Sequence, residues 1–335
     1  MESVSVNDLK SPARIAVREC MALTPNETLL VVTDEPLRAI GYALWEAGVD
    51  VGAESMLVEM IPREGHAQEP PVPVAEMMKM VDVVLCPTSK SLTHTKARRE
   101  ACAARSRVGT LPGITPDVMA RTLSADYGSI AERTRGVCAA LDRGSTARLT
   151  APNGTDITMS LEGRNCIPST GLIHNPGEFG NLPSGEAYVA PVEGTANGVF
   201  VVDGSFAGIG LLTEPVRLEV KDGLATTISG GEEAERLKKL LEPYAPLAYT
   251  IAELGVGTND AAKISGVVLE DEKVAGTVHI ALGNNASMGG TVTVPVHLDG
   301  VIKNPTLEID GETIMKDGKL LLSVERSAEL GVSSR

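Results

Sequence analysis

Two of the five histidines in this 335-residue sequence lie in one glycine-rich segment, GTVHIALGNNASMGGTVTVPVHLDG, residues 276–300. His297 and Asp299 stand two positions apart in it. Because side chains alternate along a strand, these two would point to the same face of a sheet. An imidazole beside a carboxylate is a typical pair of ligands for a divalent metal ion. The H-x-D pattern alone is common, so a metal site needs further ligands.

Three more residues could supply those ligands. His279 lies in the strand-like run GTVHIALG, and Glu186 and Glu253 lie among apolar or small neighbours in LPSGEAYVAP and TIAELGVGTN. A carboxylate in an otherwise apolar strand is costly to bury unless it is paired or bound to a metal. Together with His297 and Asp299, these residues predict a site for a divalent metal ion in the second half of the chain.

Other motifs favour competing chemistry less strongly. GVGTND and GNNASMGG are glycine-rich, but neither has the ending of a phosphate loop or the G-x-G-x-x-G pattern. No G-x-S-x-G motif is present to expose a nucleophilic serine. His66, His94 and His174 stand alone in polar or turn-like surroundings, which is more typical of structural or solvent-facing histidines. Cys86, at the end of a predicted strand, is more typical of core packing.

Composition narrows the class of protein. The net charge of −14 would repel a phosphate backbone, and an aromatic content of 3% disfavours the stacking surfaces that bind single-stranded nucleic acid. The five cysteines are far apart with no C-x-x-C pair, which indicates unpaired thiols in a reducing compartment. No signal-peptide core or membrane-length apolar run is found. We expect a cytoplasmic protein with no nucleic-acid or membrane partner.

The elements that must position the candidate ligands fall into two parts. Helical and strand-like runs alternate first, for example PLRAIGYALWEAG, which should end at Gly48, before AESMLVEMI. This alternation predicts an α/β domain with a mostly parallel sheet over residues 1–135. Alternating strands around turns such as PNGTD, KDGL, IDGE and KDGK then predict a β-rich α+β domain over residues 136–335, which carries the metal ligands.

Four motifs, in order, carry a family resemblance: NLPSGEAYVAPVEGTANG, AELGVGTN, GTVHIALGNN and HLDG. Over about residues 145–325 the chain closely resembles the metal-binding half of the thermophilic aminopeptidase family, the aminopeptidase T and aminopeptidase S group. It also resembles shorter relatives of that family, which include the 2,5-dihydroxypyridine dioxygenases. The resemblance implies a homodimer and five metal ligands, which are Glu186, Glu253, His279, His297 and Asp299.

A metal-dependent hydrolase of the aminopeptidase type is our first expectation. On this interpretation the five ligands hold two Zn, Co or Mn ions, which activate a shared water and polarise the scissile carbonyl. Glu186 or Glu253 would be the catalytic proton shuttle. The substrate would be a short peptide or another small molecule with an N-terminal amide to cleave.

The alternative is a ring-cleaving dioxygenase that acts on a dihydroxypyridine-like ring with one Fe(II), held by His279, His297 and Asp299. Two departures from the peptidases favour it. The sequence has Ala286 where the peptidases carry a tyrosine, and the chain is shorter than a typical peptidase. The two glutamates count against it, because one iron with open positions needs no such excess of charge. A third hypothesis is a structural metal module with every position filled by protein.

Overall fold

The computed structural model describes residues 6–321 of the chain. The helices are α1 (Lys10–Ile15), α2 (Arg38–Val51), α3 (Val72–Met78), α4 (Lys96–Ala103), α5 (Pro116–Thr122), α6 (Tyr127–Arg143), α7 (Glu232–Leu241) and α8 (Val268–Asp271). The strands are β1 (Thr28–Asp34), β2 (Glu54–Met60), β3 (Val83–Cys86), β4 (Arg107–Thr110), β5 (Thr146–Ala151), β6 (Thr155–Ser160), β7 (Ile167–Ser169), β8 (Phe179–Asn181), β9 (Glu186–Val189), β10 (Asn197–Val202), β11 (Ser205–Phe206), β12 (Gly210–Leu211), β13 (Val216–Lys221), β14 (Leu224–Ser229), β15 (Ile251–Gly257), β16 (Val278–Gly283), β17 (His297–Ile302), β18 (Thr306–Ile309), β19 (Glu312–Lys316) and β20 (Lys319–Leu320). Among residues 6–321, no helix is both long enough and apolar enough to cross a membrane.

The first sheet is parallel and has the strand order β2-β1-β3-β4-β8. Six of the seven residues of β1 are buried, as expected for a strand covered on both faces. Leu29 and Val31 belong to one apolar core cluster, and Leu30 and Val32 belong to another. The predicted α/β part with a mostly parallel sheet is therefore confirmed.

Helix α2 ends later than the sequence predicts. It continues past Gly48 to Val51, and Gly52 caps it in the left-handed conformation with φ of 92°. Gly48 is instead a contact point, because a Cβ there would lie 2.4 Å from Leu29 Cδ2. The glycine allows close packing of α2 on β1.

Two antiparallel sheets make up most of the second part. The second sheet has the order β14-β13-β10-β6-β5-β18-β19-β20, and the third has the order β12-β11-β17-β16-β15-β9-β7. The predicted Asn-Gly and Asp-Gly turns join β5 to β6, β13 to β14, β18 to β19 and β19 to β20. Both sheets share one apolar core with α6 and α7. The predicted β-rich α+β part is confirmed.

Two elements connect the parts. Strand β8 follows β7 in the chain, yet it pairs with β4 and completes the parallel sheet. Helix α6 runs through the expected boundary, with Tyr127 and Ile130 in a core of the parallel sheet and Val137 and Leu141 in the core of the antiparallel sheets. The division into domains 1–135 and 136–335 stays a prediction.

Cysteine pairing differs from the expectation of five unpaired thiols. Cys138 in α6 and Cys166 before β7 form a disulfide. Cys20 and Cys86 are buried free thiols, and Cys102 is a free thiol of intermediate exposure. The pair is separated by 28 positions in the sequence. The two cysteines come together because α6 packs against β7.

Candidate metal centre

The predicted ligands lie on four adjacent strands of the third sheet. Glu186 begins β9, Glu253 lies in β15, His279 lies in β16, and His297 and Asp299 lie in β17. Ala281 of β16 pairs with Glu253 on one side and with Asp299 on the other. Directly opposed residues of antiparallel strands have neighbouring side chains on one face, so the strand register brings these residues together.

Small residues leave space for the larger side chains of the predicted ligands. Gly255 lies opposite His279, and the imidazole covers it so closely that a Cβ at Gly255 would lie 1.9 Å from His279 Nε2. Ala281 likewise places only a methyl group between two carboxylates. The glycine in AELGVG, Gly255, therefore makes room for the His279 imidazole on the neighbouring strand.

Glu253 lies at the centre of the cluster. Its Oε1 is 3.2 Å from His279 Nε2, and its Oε2 is 3.1 Å from His297 Nε2. Asp299 Oδ1 is 3.4 Å from the same His297 nitrogen, and Glu186 Oε2 is 3.6 Å from His279 Nε2. The structure thus brings all five residues into one cluster.

The predicted ligand atoms form two groups that share Glu253. Atoms of Glu186, Glu253 and His279 lie within 4.8 Å of one another, and so do atoms of Glu253, His297 and Asp299. Within the described part of the chain, His279, His297 and Asp299 do not form such a group. The single-iron alternative would use that set. The group around His297 instead has one imidazole and two carboxylates.

A buried ammonium group lies on one side of the cluster. Lys273 Nζ is 2.8 Å from Glu186 Oε1 and 2.7 Å from Glu272 Oε2, and the lysine side chain is 1% exposed. Sequence reasoning missed both Glu272 and Lys273, which belong to the charged run LEDEK. Such a run is typical of a solvent-exposed segment, and nothing in its spacing shows that it folds onto Glu186.

The crowded charges shift the pKa values of the histidines. Burial alone would lower the pKa of His279, but the hydrogen bond and charge of Glu253, with other nearby carboxylates, raise it to about 9. Burial also opposes the charged form of His297, but Asp299 and Glu253 raise its pKa well above the usual value. Without a metal ion, the cluster therefore holds protons on its imidazoles at neutral pH.

The donor set fits a divalent metal ion. Glu186 Oε2 and His279 Nδ1 are buried without a hydrogen-bond partner. His297 Nδ1 lies 2.7 Å from the backbone oxygen of Asn284, so its N–H can donate there while Nε2 faces the carboxylates. A hydrogen bond of this kind orients metal-binding histidines. Imidazole and carboxylate are suitable ligands for Fe(II), Mn(II) and Zn(II).

A cavity of about 1100 Å³ adjoins the cluster. Four of the five predicted ligands line it, and His279 is the exception. His66 and His94 from the first part of the chain, and His174 from the second, also line it. The sequence favoured structural or solvent-facing roles for these three histidines. All three are exposed, and the structure also places them on the cavity wall. They come from separate loops, so no motif reveals this placement.

Further polar groups on the wall are held in fixed positions. Asn181 Oδ1 lies 2.8 Å from Thr110 Oγ1 and 3.2 Å from Thr93 Oγ1, and both hydroxyls donate to it. This leaves the Asn181 amide nitrogen to donate to a ligand. Although His94 is exposed on the cavity wall, its partial burial lowers the pKa of the imidazole, and the positive charges of neighbouring side chains lower it further. The His94 imidazole is therefore neutral at pH 7 and can accept a proton.

A tyrosine lies near the cluster, although not at the position where the peptidases carry one. Ala286 begins a short helical turn, Ala286–Met288, on the cavity wall. Tyr188 of β9 lines the same cavity. Burial raises the pKa of Tyr188, and the charges of Glu186 and Glu253 raise it further. The phenol therefore stays protonated.

Sequence comparisons find one type of enzyme. A family model described as 2,5-dihydroxypyridine 5,6-dioxygenase (NicX) matches residues 15–322. A 2,5-dihydroxypyridine 5,6-dioxygenase from Pseudomonas putida is 26% identical over 256 residues, which cover 71% of this chain and 71% of that protein.

Structure comparisons find the same fold in two enzymes. The structure of 2,5-dihydroxypyridine dioxygenase from Pseudomonas putida KT2440 superposes with a TM-score of 0.83 and 20% identity, over 96% of this chain and 99% of that chain. Wild-type AmpT from Thermus thermophilus superposes with a TM-score of 0.66 and 17% identity, over 94% and 99% of the two chains. The resemblance to both branches of the aminopeptidase family is confirmed at the level of the fold.

The expectation of a metal-dependent, aminopeptidase-like hydrolase is wrong, because the dioxygenase model matches nearly the whole chain. The structure offers a physical reason, since the Lys273 ammonium already pairs with Glu186, which belongs to one of the two groups that two metal ions would need. The metal-binding role of the five residues and proton transfer by Glu186 or Glu253 stay predictions. So do the homodimer, the cytoplasmic location and the lack of nucleic-acid or membrane partners.

Proposed function

Because the chain belongs to the 2,5-dihydroxypyridine 5,6-dioxygenase family, we propose that it is a ring-cleaving dioxygenase that acts on a dihydroxypyridine-like ring with one Fe(II). The observation that carries the proposal is the group formed by Glu253, His297 and Asp299 on the cavity wall. These residues would supply three ligands for one ion, and the adjoining cavity leaves space for a small aromatic ring.

Glu253, His297 and Asp299 would hold the metal. A bound Fe(II) would supply the redox chemistry through which O₂ reacts with an electron-rich hydroxylated ring. His279 would orient Glu253, since its Nε2 lies 3.2 Å from the oxygen that does not face His297. The proposed set has one imidazole and two carboxylates, rather than the two imidazoles and one carboxylate of the common facial triad.

Other wall residues would bind and orient the ring. The Asn181 amide nitrogen would donate to a ring oxygen, because Thr93 and Thr110 occupy the amide oxygen. His94 would accept a proton from a ring hydroxyl, which makes the ring more electron-rich and easier to oxidise. The protonated Tyr188 phenol would be a second donor near Glu253.

Oxygen uptake with 2,5-dihydroxypyridine tests the proposal. Protein freed of metal and loaded with Fe(II) under anaerobic conditions should consume O₂ in step with loss of the ring absorbance. It should release no amine from an aminoacyl anilide when Zn, Co or Mn is added. An Fe(II)-loaded chain without ring-dependent O₂ uptake would refute the proposal.

A matched pair of variants tests the ligand set. Asp299→Asn should lose most bound iron and most O₂ uptake, because a negatively charged ligand is removed while shape is kept. Asp156→Asn is the control, since this carboxylate lies in β6 with its side chain 57% exposed. Iron content by elemental analysis separates the two, and full iron binding by Asp299→Asn would exclude Asp299 as a ligand.

A further inference from the structure

The group of Glu186, Glu253 and His279 already contains a cation of the protein itself. Lys273 Nζ lies 2.8 Å from Glu186 Oε1, on the carboxylate whose other oxygen is 3.6 Å from His279 Nε2. Glu272 Oε2, at 2.7 Å, is the second partner of the same ammonium. This group therefore differs from the group of Glu253, His297 and Asp299, with which no lysine or arginine makes an ion pair in the part of the chain that the structure describes.

The backbone holds Lys273 in place from both sides. Its N–H donates to the Glu270 oxygen at 2.9 Å, and its oxygen accepts from the Asn259 N–H at 2.8 Å, just beyond the end of β15. The Glu270 carboxylate is in turn fixed by Arg121, at 2.8 Å. These contacts hold the Lys273 ammonium in a fixed position beside the cluster.

We propose that the Lys273 ammonium takes the place of a second divalent cation, so that the cluster binds one metal ion although it offers two groups of ligands. This inference rests on the metal site of the proposed function. Lys273 is then a positioning residue that determines how many metal ions the site accepts.

Charge balance supports the inference. Four carboxylates meet here, those of Glu186, Glu253, Glu272 and Asp299, and Lys273 is the one lysine or arginine that pairs with any of them in the described chain. Buried carboxylates need compensating positive charge. A second divalent ion at Glu186 would lie within a few ångströms of the ammonium, where like charges in a poorly hydrated site repel strongly. One metal ion and one ammonium supply three positive charges against the four carboxylates without that repulsion.

Manganese stoichiometry tests the inference without relying on ring cleavage. Metal-free protein is titrated with Mn(II), free Mn(II) is followed by electron paramagnetic resonance, and bound Mn(II) is measured by elemental analysis. The parent should reach one equivalent per chain. Lys273→Met, which removes the charge and keeps an apolar stem, should reach two equivalents. Adding Glu186→Gln to that variant should return the value to one.

Two controls distinguish a charge effect from general damage. Lys273→Arg keeps the positive charge and should stay at one equivalent, as should Lys263→Met, which changes a lysine whose side chain is 60% exposed. If Lys273→Met folds only when Mn(II) is present, and then binds two equivalents, the metal has replaced the ammonium as proposed. Circular dichroism monitors the fold.

Three results would overturn the inference. They are two equivalents in the parent, one equivalent in a folded Lys273→Met, or a Lys273→Met that stays unfolded at millimolar Mn(II). Failure of the proposed function looks different, because it is an absence of ring-dependent O₂ uptake by iron-loaded parent whatever the manganese count.

Discussion

The imidazole of His279 lies over the backbone of Gly255, so this side chain keeps its place only because its neighbour has no side chain. We predict that Gly255→Ala lowers the free energy of unfolding by about 1–3 kcal/mol, because the added methyl group forces the ring or the strand to move. Chemical denaturation measures the change. Gly65→Ala is the control, since nothing lies within 4 Å of a Cβ at that position. Equal free energies of unfolding for the two variants would show that the His279 imidazole does not restrict the residue at position 255.

His94 is the residue of the cavity wall that we propose as the general base. We predict that His94→Gln lowers kcat/KM for a dihydroxypyridine by about 10²–10⁴-fold, the usual range for loss of a general base. Iron content should not change, because His94 belongs to neither ligand group.

The pH profile shows whether His94 acts as a base. Burial first, and then nearby positive charges, lower its pKa below the usual value, so the parent should lose activity as pH falls through that lowered pKa and His94 gains a proton. The variant should lack this acidic limb. A variant that keeps the limb and the rate would assign the proton transfer to another group.

At the scale of elements, sequence patterns predicted the strands and turns that depend only on neighbouring residues. The run AESMLVEMI formed strand β2, and the Asp-Gly turns before β14 and β19 formed as expected, because backbone preference is decided within a few residues. The cluster of Glu186, Glu253, His279, His297 and Asp299 was also predicted, because each ligand stands in a strand-like motif and family resemblance linked the motifs. The structure shows that cluster, and its metal binding remains to be tested.

The sequence did not predict features that depend on contacts between distant parts of the chain. Lys273 belongs to a charged run, and only the packing of the segment after α8 against β9 and β15 turns it inward. Gly48 suggested a helix end, but its role is contact with Leu29 of β1. The disulfide between Cys138 and Cys166 likewise depends on α6 meeting β7. In each case the contact partner lies on another element of the fold, so the residues next to it in the sequence give no sign of the contact.

At the scale of the whole molecule, the cavity has walls from both predicted parts of the chain. His66 and His94 come from before residue 135, and Glu253, His297 and Asp299 come from after it. The proposed metal ligands and the histidine proposed as base therefore line one cavity only when both parts are in place. An exchange of loops in the first part would change ring binding without touching the ligands.

The expected boundary near residue 135 can be tested with fragments of the chain. We predict that residues 1–135 alone do not unfold cooperatively. Strand β8, which pairs with β4 in the parallel sheet, is missing from that fragment, and so are Ile173, Leu182 and Leu269, which belong to a core of that sheet. Removing large buried side chains typically costs 2–5 kcal/mol each, which exceeds the margin of most domains.

Thermal unfolding followed by circular dichroism compares three chains, which are residues 1–135, residues 1–182 and the full length. The longer fragment regains β8, Ile173 and Leu182, so it should show more helix and a sharper transition than the shorter one. A cooperative transition of residues 1–135, with a midpoint near that of the full chain, would show that the first part folds by itself and that β8 is dispensable. Without such a transition, the boundary near residue 135 does not separate independent folding units, and the cavity forms within one cooperative structure.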